Sequence, residues 1–125
     1  MRNFSKVNPQ IWGRKPFKDL SDGGKLMIFY FLTCRHQNSA GCYQVPDGYV
    51  TSDLRWTQEQ YDTFRTEVEQ AGWIAYDVET QEVYVIDWFK ENPITNDKHR
   101  EGVKRLIGML DSEKLASLAY EAIGE

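Results

Sequence analysis

The chain has 125 residues, 41% hydrophobic and 27% charged, which suits one folded domain and excludes disorder on composition. Its longest apolar run, residues 26–32, is far short of the ~20 residues of a membrane span, and residues 1–6 have basic groups with no apolar stretch behind them, so neither a spanning helix nor a secretory leader is expected. The net charge of −4 is unevenly spread: residues 1–18 carry five basic side chains and no acidic one, residues 19–89 carry four basic against twelve acidic, and the tail from Lys90 carries six against seven, so a polyanion is drawn to the ends and repelled by the middle.

In chain order, residues 1–20 form a mixed arm in which Asn8-Pro9 and Lys15-Pro16 interrupt any continuous helix, and Trp12 and Phe17 are expected to anchor it to the core. Ser21 is a good N-cap, and Asp22 beside it favours the positive end of a helix. The following residues, 26–33, are apolar nearly all round, the pattern of a helix buried on several sides. Gly23 and Gly24 in its first turn are poor helix formers, so they are read as allowing the arm to approach closely. Asn38-Ser39-Ala40-Gly41 is a turn, Cys42-Tyr43-Gln44-Val45 a short strand, and residues 49–54 a short helix. Thr57 with Gln60 has the spacing of a capping box, and Tyr61, Phe64, Val68 and Ala71 form one apolar stripe that Gly72 ends.

The period then changes. Residues 73–78 and 82–89 are rich in β-branched and aromatic side chains, with a short polar link between them, and read as a β-hairpin. Beyond Asn92-Pro93, Val103, Leu106, Ile107 and Leu110 mark a helix, and Asp111-Ser112-Glu113 opens a last one through Leu115, Leu118, Ala119 and Ile123. The fold class expected is mainly α with a small β-hairpin: a winged helix-turn-helix with its N-terminal arm over residues 1–92, and a C-terminal helical extension over residues 93–125.

Trp12, Leu20-Ser21, Lys25-Leu26, Asn38, Gly41-Cys42-Tyr43, Leu54-Arg55-Trp56-Thr57, Gln70-Ala71-Gly72-Trp73-Ile74 and the run from Val83 to Lys90 come in an order and spacing that resembles the N-terminal winged-helix domain of phage replisome organisers and DnaD-like primosomal proteins. The resemblance spans residues 4–92. It implies a domain that contributes to DNA binding, self-association or both while a replication initiation complex assembles.

The charge pattern departs from a plain DNA reader. In winged helices the second paired helix usually enters the major groove. Here that helix carries Glu59, Asp62, Glu67 and Glu69 against Arg65 alone, and the hairpin adds Asp77, Glu79 and Glu82. Phosphate binding needs cationic or neutral donors, so this surface repels DNA. The nucleic-acid candidates are therefore Arg14, Lys15 and Lys18 in the arm, Lys98, Arg100, Lys104 and Arg105 in the tail, and Gln58, Thr63 and Thr66 as neutral donors on the acidic helix. The tail cations read equally well as the wet face of an amphipathic helix. Glu59, Asp62, Tyr76 and Tyr84 are candidates for binding a protein partner, because rings fall on both faces of the hairpin and some are expected to be exposed.

Other chemistry is sparse. Cys34, His36, Cys42 and His99 lack the tight ligand pairs of a structural zinc site, and two thiols without a leader point to reduced cysteines in a cytoplasmic protein. Asp77, Glu79, Glu82 and Asp87 read as a solvated hairpin face rather than a cation site. The rings of Tyr30, Tyr43, Trp73, Tyr76, Tyr84 and Trp88 read mainly as core rather than as a stacking platform for single strands. No phosphate loop, nucleophile elbow or zinc-protease motif occurs. A non-catalytic protein without metal or cofactor is expected, binding DNA weakly through its basic ends, binding replication proteins or itself, and engaging no membrane. The alternatives are a protein-interaction winged helix without DNA affinity and a transcriptional regulator.

Overall fold

The computed structural model describes residues 2–125. A 3-10 turn, Pro9–Gly13, and a short helix α1, Lys15–Lys18, shape the arm. Next come α2 (Asp22–Thr33), β1 (Cys42–Gln44), α3 (Asp47–Leu54), α4 (Gln58–Gln70), β2 (Ile74–Asp77), β3 (Glu82–Val85), α5 (Trp88–Glu91), α6 (Asp97–Gly108) and α7 (Glu113–Ala122). The fold is mainly helical with one small antiparallel sheet in the order β1-β3-β2.

The helix starts follow local rules. Ser21 Oγ accepts from Gly24 N at 3.0 Å, Ser112 Oγ accepts from Leu115 N at 3.2 Å, and Thr57 with Gln60 makes the full reciprocal capping box. α4 ends at Gly72, whose φ of 86° is open to glycine, and Trp73 N closes back on Val68 O at 3.0 Å.

The sheet joins two layers of helices. Tyr43, Val83 and Tyr76 stand in one row and Cys42, Tyr84 and Ala75 in the next, and neighbouring rows point to opposite faces. The first row faces α2–α4: Tyr43 Oη donates to Phe31 O at 2.7 Å, and Tyr76 Oη donates to Asp47 Oδ1 at 3.2 Å. The opposite face lies under α6 and α7, so all four β3 residues are buried. Val103, Ile107, Leu115 and Ala119 share one hydrophobic cluster with Phe31, Tyr61 and Val83. On this second face the Glu82 side chain, only 2% exposed, accepts from Asp111 N at 3.0 Å and Ser112 N at 2.7 Å and so caps the start of α7.

Several expectations are corrected. The second hairpin strand, expected to reach Phe89, ends at Val85, because Asp87 takes a left-handed φ of 63° and turns the chain into α5. That turn lays Trp88 over Gly41, where a Cβ would overlap the indole, and Trp88 Nε1 donates to Ser39 O at 3.1 Å. Gly23 and Gly24 admit α4 rather than the arm: Phe64 packs on the first, and a Cβ on the second would stand 2.7 Å from the Glu67 carboxylate. Ile11 and Phe17 anchor the arm, whereas Trp12 is 61% exposed. Glu82 is not on a solvated face but inside. Tyr76 and Tyr84 are buried as well, because helices cover both sides of the sheet and leave neither ring a route to solvent.

Candidate nucleic-acid and partner interface

α3 and α4 meet through the turn at Arg55-Trp56-Thr57. Arg55 takes a left-handed φ of 54°, and Trp56 N returns to Thr51 O at 3.1 Å. α3 is tied to α2 by Asp53, which accepts from Tyr30 Oη and from Arg35, both at 2.9 Å. Burial and the bond to Asp53 push the Tyr30 phenol well above its ordinary value, which keeps it a neutral donor.

The outer face of α4 displays Glu59, Asp62, Thr63, Thr66 and Gln70 to solvent. Its one cation is not there. Arg65 is 8% exposed, pairs with Asp62 at 3.1 Å, and lies with its guanidinium carbon 4.6 Å and 4.3 Å from the ring centres of Tyr61 and Tyr76. Both tyrosines carry phenols raised by burial, so they offer this arginine neutral π faces. Two of the acidic groups serve the fold: Glu67 accepts from Ser21 N at 2.8 Å and Ser21 Oγ at 2.6 Å, and Glu69 accepts from Tyr76 N at 3.3 Å. Gln58 donates to Asp47 and Asp62, each at 2.9 Å, so its amide is already engaged. Of the neutral donors expected from sequence, Thr63 and Thr66 make no side-chain hydrogen bond among the described residues, and they stand beside Glu59 and Asp62.

The arm and tail cations differ in commitment. Arg14 pairs with Glu91 at 3.3 Å, which also accepts from Asn8, and Lys15 pairs with Asp19 at 2.6 Å. Arg100 donates to Ile123 O at 2.7 Å and pairs with Glu125 at 3.1 Å; Lys104 reaches Glu125 at 3.4 Å and Glu101 at 3.7 Å. The Glu125 hydrogen bond raises the Lys104 ammonium above its ordinary value. These two residues clamp α6 to the end of α7. Lys18, Lys98 and Arg105 are exposed and have no ion-pair partner among the described residues.

The residues weighed for a metal are scattered. The Cys34 thiol donates to Tyr43 Oη at 3.3 Å, His36 stands edge-on to Tyr49, Cys42 is buried in β1, and His99 bonds the backbone of Thr95. No group of three or more His, Cys, Asp or Glu among the described residues is placed to hold a metal ion. A cleft of about 680 Å³ lies between the arm, α2 and the segment from β3 to α5, walled by Ile11, Ile28, Phe31, Trp73 and Trp88. No helix among the described residues is long and apolar enough to cross a membrane.

The feature that sequence reasoning missed is the exposed Trp12. The bracketing prolines, Pro9 and Pro16, were the available signal: each opens a short helical turn, and each turn buries one apolar side chain, Ile11 and Phe17. No family model matches the chain, and no curated protein or solved structure matches it significantly.

Proposed function

We propose that the chain is a non-catalytic, cytoplasmic winged-helix protein of phage or prophage DNA replication initiation, binding DNA through its basic arm and replication partners through the outer face of α4. The observation that carries this reading is connectivity: α2, β1, α3, α4 and then a hairpin, with the last strand paired between the other two. A winged helix-turn-helix has that order, and the resemblance to replisome organisers supplies the setting.

The DNA part is tested by fluorescence anisotropy on labelled single and double strands across a salt series. A duplex binder with four phosphate contacts loses about 100-fold in affinity between about 50 and 200 mM salt. Neutralising Lys15 and Lys18, or Lys98 and Arg105, locates the contact. The absence of binding to either form at low salt removes the DNA part.

A second reading, a protein-interaction module without DNA affinity, is favoured by one observation. α4 keeps Arg65 inside and shows Glu59 and Asp62 outside, so its exposed face is acidic. Pull-down from host or phage extract with the parent and with a Glu59→Lys/Asp62→Lys variant distinguishes the two: a partner lost on charge reversal, with no DNA bound by the parent, selects the second reading.

A further inference from the structure

Trp12 is the most exposed of the four tryptophans. It is 61% exposed, yet it meets Phe17 edge-on with ring centres 5.5 Å apart and Phe29 tilted at 5.6 Å. Phe17 is 1% exposed and continues to Trp73 at 6.1 Å, so the indole rests on an aromatic stack that reaches the core. An exposed large ring normally loses ordering entropy when it is fixed for a partner, and the contacts with Phe17 and Phe29 lower that cost.

The segments that supply Phe17 and Phe29 carry three lysines, with Asp19 and Asp22 as the acids close by in sequence. Lys15 and Lys18 lie on the outer side of the short helix that supplies Phe17, and Lys25 is one helical turn before Phe29 on α2. Lys18 and Lys25 have no ion-pair partner among the described residues. Lys15 holds Asp19 in a pair exposed on both sides, of the kind that is weak and exchanges readily with another anion. Leu26, 45% exposed, extends the apolar floor beside Phe29. Arg14 is drawn away to Glu91 and is not counted here. Asp22, in the first turn of α2, is the nearest other acid in sequence.

We infer that Trp12 is a base-stacking platform for single-stranded DNA, with Lys15, Lys18 and Lys25 taking the phosphates on either side. The inference rests on the DNA-binding reading above and names its substrate form and its site. An exposed indole with Lys18 and Lys25, which have no ion-pair partner among the described residues, and the weakly paired Lys15 on the neighbouring segments matches a polyanion with free π faces. A duplex has phosphates but keeps its bases stacked on one another, and an acidic peptide has charges but no ring to lay on the indole. The acidic outer face of α4 keeps the strand to the arm side of the molecule.

The test is anisotropy of labelled dT20 against a 20-base-pair duplex, with the parent, Trp12→Ala, Trp12→Phe and a Lys15→Gln/Lys18→Gln/Lys25→Gln variant, each checked for an unchanged far-ultraviolet spectrum. Trp12→Ala is expected to weaken dT20 binding by about tenfold, while Trp12→Phe stays within about threefold, since one stacked base is worth this much and phenylalanine still stacks. The salt dependence is expected to be unchanged in Trp12→Ala and shallower in the lysine variant, because only the lysines release counterions. Quenching of tryptophan fluorescence by dT20 is expected to fall in Trp12→Phe. Equal dT20 affinity for Trp12→Ala and the parent overturns the inference, as does competition by poly-glutamate as effective as that by dT20. Duplex binding without dT20 binding overturns it and leaves the DNA-binding reading standing; no binding to either form removes both.

Discussion

Glu82 offers the most direct test of how the second helical layer is held. Replacing it with alanine strips the acceptor from two backbone amides, Asp111 N and Ser112 N, at a point where Ser112 is only 2% exposed and water has little access. The buried amide of Ser112 left without a partner costs about 1–3 kcal/mol, and the part-buried amide of the exposed Asp111 less, since water reaches it. The favourable placement of a negative group at the start of α7 adds about 0.3–1 kcal/mol. Removing a buried carboxylate returns part of its desolvation cost. The net loss expected for Glu82→Ala is therefore about 3 kcal/mol, which in a domain of this size lowers Tm by roughly 10 °C. Glu82→Gln keeps one acceptor and is expected to lose about half as much. Urea unfolding followed by circular dichroism measures both, and hydrogen exchange locates the effect: the amides of α7 are expected to exchange faster than those of α4. An alanine variant within about 0.5 kcal/mol of the parent, a change typical of plain surface sites, refutes the clamp between sheet and helix.

Gly41→Ala is expected to destabilise by more than about 3 kcal/mol, since its φ of 68° is strained for any side chain and the new methyl displaces Trp88; thermal unfolding reads the loss. Gly102→Ala is the opposite case, with open space around the site in the middle of α6, and is expected to stabilise by about 0.5–1 kcal/mol in the same assay. Burial, then the nearby Arg35, lowers the His36 pKa, so the unfolded chain takes up that proton first as pH falls. Stability is accordingly complete above the unfolded value near 6.5 and is expected to decline as pH drops through it, and a His36→Gln variant is expected to flatten urea midpoints measured between about pH 7.5 and 5.5. Burial, with Glu82 nearby, pushes the Cys42 thiol up to about 12, so alkylation of Cys42 by iodoacetamide at about pH 8 is expected to be far slower in the folded chain than in urea.

How well the sequence could be read depended on how far apart the interacting residues lie. The caps at Ser21, Thr57 and Ser112 were readable or nearly so, because each is a bond to an amide three residues on. The hairpin was readable from its period and its polar link, but its end was not. Asp87 turns left-handed so that Trp88 can reach Gly41, and that contact joins segments 47 residues apart. The acidic face of α4 was correctly seen as a run of carboxylates, yet nothing local told Glu67 and Glu69, bound to amides elsewhere in the fold, from Glu59, which faces solvent. The basic groups divide in the same way: Lys18, Lys98 and Arg105 have no ion-pair partner among the described residues, whereas Arg100 and Lys104 close on Glu125.

From its residues alone, this protein is a mainly helical chain with a basic arm, one hairpin and helix starts at definite places, because those properties depend on neighbours within a turn or two. Only the tertiary structure decided that the sheet is covered on both faces, that Glu82, Tyr76 and Tyr84 lie inside, and that Trp12 lies outside. Burial is settled by what packs against a side chain, and for Glu82 that neighbour is Ser112, 30 residues further along the chain.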